Sequence, residues 1–207
     1  MLGFLILLAG TVGLLIGFAA GRFLLLNRNE GEALVASTLS QLSVPHVLIN
    51  NVTLPLEQGT TQIDHLLVTE SGVFVIETKH YRGWIFGRPK DDYWMQTIYH
   101  KKSRFRNPLL QNYGHVKTVQ ALFKLPESAF IGVVVFTGDA DFKSELGPQV
   151  LQLNQLLDFV AQPREKALDE RQMAYVVGRI EMKRLRRSLE TDEYHLNYVR
   201  KKIGNRR

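Results

Sequence analysis

TQIDHLLVTESGVFVIETK, residues 61–79, is the stretch on which the fold turns. It holds two strand-like runs, Thr61–Thr69 and Val73–Lys79, split by Glu70-Ser71-Gly72, which suits a tight hairpin turn. Side chains alternate faces along a strand, so Glu77 and Lys79 share one face with Val73 and Val75. With Glu70 and Ser71 at the tip, paired positions sum to 141, which sets position 64 opposite position 77. A bulge at Gly72 would shift the register by one residue and still leave the two carboxylates neighbours. Asp64, Glu77 and Lys79 then converge at the end of a hairpin whose other positions, such as Ile63, Leu66, Val68, Phe74 and Ile76, are strongly apolar.

Placing such groups inside strands is costly unless they pair or bind a cation. Adjacent carboxylates repel, and a divalent metal relieves the repulsion. Mg2+ (or Mn2+) held by Asp64 and Glu77, with several retained waters, suits this donor set. Bound metal acidifies its water and steadies charge on a transferring phosphate. Lys79 adds a compact positive charge for the attacking water or the phosphate oxygen. A structural Lys–carboxylate pair on a sheet edge accounts for the same residues, and spacing alone does not separate the two readings.

Outward from the hairpin, the periodicity predicts a helix from about Asn29 to Leu42, with Leu34, Val35, Thr38, Leu39 and Leu42 inward. Asn27 or Asn29 can cap it, and Pro45 stops it. An extended segment from Val47 to Leu54 follows. Residues 82–100 set Gly83, Gly87 and Pro89 among aromatic residues and read as a more exposed β-ribbon. Asn107-Pro108 opens a helix to about Lys124, Pro108 standing where its missing N–H costs little. Ala129–Thr137 reads as a buried strand, Gln149–Leu153 as a short one, and a helix starts at Asn154. From Leu168 to about Lys202 the pattern is helical, basic and weakly amphipathic. This order of elements indicates one mixed α/β domain.

At the N-terminus, Leu2 to Gly21 runs twenty residues without a charge. A helix of that length spans about 30 Å, the thickness of the bilayer hydrocarbon. Ala19-Ala20-Gly21 would suit signal cleavage, but the segment lacks a basic leader and is longer than a typical signal core, so a retained anchor is expected. Arg22 and Arg28 follow the apolar run, which places the soluble part in the cytoplasm of a single-pass inner-membrane protein. Gly13, Gly17 and Gly21 stand on one helical face, the spacing that lets two membrane helices form a homodimer.

The chain has 207 residues and no cysteine, which excludes a disulfide framework, a thiolate zinc site and a cysteine nucleophile. Its formal charge of +6 is uneven: residues 1–163 hold 13 Lys/Arg against 13 Asp/Glu, and residues 164–207 hold 13 against 7. A second basic run lies between Lys79 and Arg106, eight basic residues against Asp91 and Asp92. Two basic regions fit a polyanion, either nucleic acid or an acidic membrane surface; solvated helix faces fit as well.

Beyond the hairpin, Gly31-Glu32, Gln62-Ile63-Asp64-His65, Gly72 through Lys79, Tyr81-Arg-Gly83, Trp94 and Asn107-Pro108-Leu-Leu-Gln111-Asn112 occur in an order that resembles the nuclease-related domain (NERD) family. The resemblance runs from about Asn29 to Leu125. That family is placed in the PD-(D/E)XK nuclease superfamily, which implies a restriction-endonuclease-like mixed β-sheet core flanked by helices. It implies metal ligation by Asp64 and Glu77, with Lys79 as the lysine of the same motif. Glu32 matches the acidic residue of the family's first helix, and Gln111 the polar residue on the helix after the core strands. Glu32 also suits a first-turn helix acid, and Gln111 a surface amide.

Of the remaining candidates, His65 points to the other face from Asp64 and reads as packed. His80 and His100 lie near the basic segment. His115 stands one turn beyond Gln111 and is a further site candidate. Arg88, Lys101, Lys102, Arg104 and Arg106 interleave with Trp84, Phe86 and Tyr93, a mixture suited to a nucleic-acid strand, whereas Trp94 reads as core. The basic tail around Lys183-Arg184, Arg186-Arg187 and Arg200-Lys201-Lys202 suits nucleic acid, anionic lipid or plain solvent.

The chain thus divides into an anchor (2–26), a nuclease domain (27–161) and a basic helical extension (162–207). The expected activity is membrane-anchored, metal-dependent hydrolysis of phosphodiester bonds, with DNA as partner. A non-catalytic, membrane-tethered module that binds nucleic acid or protein on the same fold is the alternative.

Overall fold

A computed structural model describes residues 30–204. The expected anchor at 2–26, with Gly13, Gly17 and Gly21, lies outside the described residues. Among those described, no helix is long and apolar enough to cross a membrane.

The hairpin forms as the alternation predicts. β2 (Thr60–Thr69) and β3 (Gly72–Lys79) are antiparallel, with Thr69 opposite Gly72 and His65 opposite Ile76, and Glu70-Ser71 at the tip. Gly72 adopts φ 133°, a conformation that L side chains rarely reach, and this lets the turn close in two residues. β1 (His46–Pro55) pairs antiparallel with β2. On the other side, β7 (Phe130–Phe136) runs parallel to β3, and β9 (Val150–Gln152) parallel to β7. The result is a five-stranded mixed sheet of order β1-β2-β3-β7-β9.

Residues 82–106 depart from the expected ribbon. They form three strands, β4 (Gly83–Phe86), β5 (Tyr93–Ile98) and β6 (Lys101–Arg106), joined by β8 (Ala140–Phe142) into a second sheet of order β6-β5-β4-β8. β6 continues past the predicted end of the ribbon because its Lys and Arg residues alternate with Ser103 and Phe105, and only Phe105 turns toward the core.

Helices cover both faces of the first sheet. α1 (30–39) and α3 (Leu156–Ala161) close one face, where Val35, Leu39, Leu156 and Val160 pack on Phe74 and Ile76. Leu34, expected to face inward on α1, is exposed, and Glu32 is buried instead. α2 (Pro108–Gln120) and α4 (Glu170–Lys183) close the opposite face, with Val119, Val176 and Ile180 on Ile63, Leu66 and Val75. Each such fully buried aliphatic side chain contributes roughly 1.5–3 kcal/mol. The helical run expected from 168 to 202 is two helices: α4 ends at Lys183, and α5 (Leu189–Gly204) begins after a break at which the Leu185 N–H donates to the Thr53 carbonyl.

The second sheet lies against the same face of the first sheet as α2. Ile85 and Trp94 pack with Val134, Phe136 and Val150. In the parallel ladder Glu77 stands beside Val134 and Lys79 beside Phe136. The C-terminal end of β3 therefore lies where the cover of that face passes from α2 to the second sheet.

Candidate functional site

The β2–β3 ladder ends at His65–Ile76, and its register carries Asp64 toward Glu77. There the Asp64 side chain replaces the ladder: its Oδ2 accepts the Thr78 backbone N–H at 2.8 Å. Asp64 and Glu77 are 1% and 3% exposed, so both carboxylates are withdrawn from bulk water. Sequence reasoning missed this role of Thr78, because only its backbone takes part and no side-chain pattern signals it.

Lys79 Nζ lies 2.6 Å from Glu77 Oε1 and donates to Gln111 Oε1 at 3.1 Å. The other Glu77 oxygen, Oε2, faces His115 Nε2 at 3.2 Å, a close polar contact rather than an aligned hydrogen bond. On its far side the His115 ring is fixed by a 2.9 Å hydrogen bond between Nδ1 and Thr61 Oγ1. Gln111 and His115 reach the strands from the first two turns of α2. That helix starts where the residue order allows: the Asn107 side chain accepts the Leu109 N–H, and Pro108 fills a position that needs no donor.

Between them on the helix, the Asn112 side-chain amide donates to the carbonyls of Val75 and Val133, at 2.9 Å and 3.0 Å. It pins α2 across β3 and β7. Gly132 permits this approach, since a Cβ there would lie 3.1 Å from Val116 and 3.3 Å from the Asn112 amide.

Electrostatics agree with the geometry. Burial by itself pushes the Glu77 carboxyl up, but Lys79 and then His115 outweigh it and lower its pKa from 4.5 to about 2. Burial likewise lowers the Lys79 ammonium, and Glu77, with a smaller contribution from Asp64, more than restores it, so the net shift is upward. The pair is an ionised carboxylate against an ionised ammonium.

His65, His80, His100 and the cations of the second sheet do not enter this cluster. Glu32 is buried near the start of α1, whose Gly31 abuts Thr78, His80 and Thr137 on the opposite face of the sheet. His65 also turns to that side, and its Nδ1 meets Asn50 Oδ1 at 2.7 Å. His80 Nδ1 meets Thr137 Oγ1 at 3.0 Å, and His100 sits exposed in the β5–β6 turn. Arg88, Lys101, Lys102, Arg104 and Arg106 belong to the second sheet and its loop and are exposed. Trp94 is core, its Nε1–H donating to the Arg88 carbonyl.

Among the described residues no group of three or more His, Cys, Asp or Glu side chains is disposed to hold a metal ion. The donor set fits a hard cation that takes few protein ligands. It offers an ionised Glu77 with one oxygen lacking an aligned hydrogen bond, and a second buried carboxylate toward which the hairpin register points. It does not fit a zinc site closed by four protein ligands.

A mixed α/β domain of two sheets that gathers two carboxylates and a lysine at one strand end is of nuclease-like class. The chain belongs to the nuclease-related domain family, whose model matches residues 27–137. An uncharacterized protein of Bacillus anthracis is 49% identical over 96 residues, which are 45% of this chain and 45% of that protein. The chain thus spans about half the length of the curated relative it matches. No solved structure matches it.

Proposed function

We propose that this chain is a metal-dependent nuclease that hydrolyses phosphodiester bonds of DNA, tethered to the membrane through residues 2–26. The observation that carries this reading is the meeting of Asp64, Glu77 and Lys79 at one buried strand end in a chain of the nuclease-related domain family. Phosphodiester hydrolysis needs a water aimed at phosphorus and positive charge where the phosphate oxygens gain negative charge. Asp64 and Glu77 would hold Mg2+ or Mn2+, and bound metal supplies an acidified water and charge neutralisation. Lys79, held between Glu77 and Gln111, brings an ammonium group that stays charged through the neutral range. Gln111 fixes the direction of that ammonium, and Asp64 is held in place by the Thr78 N–H. The apolar span ending at Gly21, followed by Arg22 and Arg28, supports a tether with the domain on the cytoplasmic side.

A second reading, a binding module without turnover, is favoured by one observation: Lys79 and His115 already face both oxygens of Glu77. Cleavage separates the two. The full chain, purified in detergent, is incubated with plasmid and with single-stranded DNA in Mg2+, in Mn2+ and in chelator, beside Glu77→Ala and Lys79→Ala. The expected result is metal-dependent cutting that falls on the order of a hundredfold or more in each variant. No cutting of either DNA, together with no metal binding by calorimetry, would leave the binding module.

A further inference from the structure

The registers of the second sheet sort its side chains into two faces. Ile85, Trp94 and Phe105 turn inward to the core. The outer face carries rows read directly from the pairing: Phe86, Met95 and Arg104 in one, Trp84, Thr97 and Lys102 in the next, Tyr93 and Arg106 in a third. Trp84 is 50% exposed and Tyr93 53%. Single exposed rings are ordinary, but rings grouped on one flat face beside a strand of cations are not.

The cations are placed as a line. Lys102, Arg104 and Arg106 occupy alternate positions of β6, about 6.8 Å apart along the strand, close to the separation of successive phosphates on an extended chain. Arg104 lies over the Tyr93 ring at 4.6 Å, and Lys143 over the Trp84 ring at 5.4 Å. No ion pair among the described residues engages Lys102, Arg104 or Arg106. Of the carboxylates at this sheet, Asp141 pairs with Lys143, Asp91 accepts the Arg88 backbone N–H, and Asp92 stands exposed just before Tyr93.

This face is also tied to the carboxylate cluster. Phe105 of β6 meets Tyr81 edge-on at 4.7 Å, two residues beyond Lys79. The same end of β6 passes through Asn107 into α2, which carries Gln111 and His115.

We propose that the outer face of the second sheet is a stacking platform for an unpaired nucleic-acid strand, with bases on Trp84, Phe86 and Tyr93 and phosphates along Lys102, Arg104 and Arg106. Duplex bases are stacked on one another and closed to such rings, whereas unpaired bases offer their π-faces, and cationic side chains track the backbone. The inference rests on the nuclease reading for the meaning of the bound strand, but binding does not require turnover.

The experiment measures fluorescence anisotropy of the full chain in chelator, with a short labelled single strand and the duplex of the same sequence, over a salt series. Wild type is compared with Trp84→Ala/Tyr93→Ala and with Lys102→Gln/Arg104→Gln, each checked for an unchanged melting temperature. The expected result is preference for the single strand, lost about tenfold or more in the ring variant. The charge variant should show a shallower salt slope, by about 0.7 per phosphate contact removed. Should the ring variant melt early, the charge variant and its slope decide. Equal binding of duplex and single strand, unchanged in both variants, would overturn the platform. So would single-strand binding that survives both but is lost in Arg186→Ala/Arg187→Ala. Single-strand binding that depends on these residues, without cleavage in any metal, would keep the platform and remove the nuclease.

Discussion

Glu77 and Lys79 depend on one another, and the dependence has a definite pH signature. Folding lowers the Glu77 pKa from 4.5 to about 2, so its contribution is complete above 4.5 and is lost as pH falls toward 2. Folding raises the Lys79 pKa above 10.5, so that contribution is complete below 10.5 and is lost only at still higher pH. Removing one partner of a buried pair leaves the other charge uncompensated, at a cost of roughly 3–5 kcal/mol. The contact from His115 and the partial exposure of Lys79 place Lys79→Met toward the lower end of that range. Urea titrations should show this variant destabilised at neutral pH, with the gap to wild type shrinking as pH falls toward 2, because burial without Lys79 raises the Glu77 carboxyl and protonation then relieves the variant first. A gap that stayed constant into acid would mean that the pair does not hold the site. The pairing of Glu77 with Lys79 was legible from strand parity alone. Its contact with His115 was not, because it depends on the rotation of α2 against the sheet, which Asn112 and Gly132 decide.

The hairpin and α2 show how elements set the site. Gly72 closes the β2–β3 turn, and at φ 133° a Cβ would come within 2.6 Å of the Ala129 carbonyl oxygen. That carbonyl belongs to the turn leading into β7, so the clash would sit between β3 and its parallel neighbour. Gly72→Ala should cost about 1–3 kcal/mol in chemical denaturation, from backbone strain and the shifted carbonyl together. A neutral result would mean that the turn relaxes into another geometry, and the register that brings Asp64 to Glu77 would then need re-examination. The turn was readable because Glu-Ser-Gly interrupts two alternating runs. The three-residue β8, which completes the second sheet by parallel pairing with β4, carried no such signal: a strand that short has no periodicity of its own.

Over the whole molecule, the core extends beyond the stretch that defines the family. The family match ends at residue 137, yet Leu168, Val176 and Ile180 are at most 1% exposed in the cluster formed by β1, β2, β3 and α2. Three such side chains contribute about 5–9 kcal/mol, comparable to the full stability of a typical domain. A chain ending at Arg164 should therefore lose its cooperative thermal transition in circular dichroism. A truncated chain that melted cooperatively near the wild-type temperature would make α4 an appendage. In the sequence, the pattern from Leu168 to about Lys202 is helical, basic and weakly amphipathic, since an apolar stripe of so few residues is hard to see among so many charges.

Local chemistry was enough to read the hairpin, its register, the face shared by Asp64, Glu77 and Lys79, the start of α2 and the family resemblance. Alternation, turn residues and caps act between near neighbours, and neighbours along the chain are what a sequence displays. Three features required the folded chain: the burial of α4, the second sheet with its outward aromatic and cationic face, and the placement of His115 beside Glu77 and of Asn112 across the middles of β3 and β7. Each depends on segments far apart in the chain meeting in one orientation, and that orientation follows from the packing of whole surfaces rather than from any one stretch of residues.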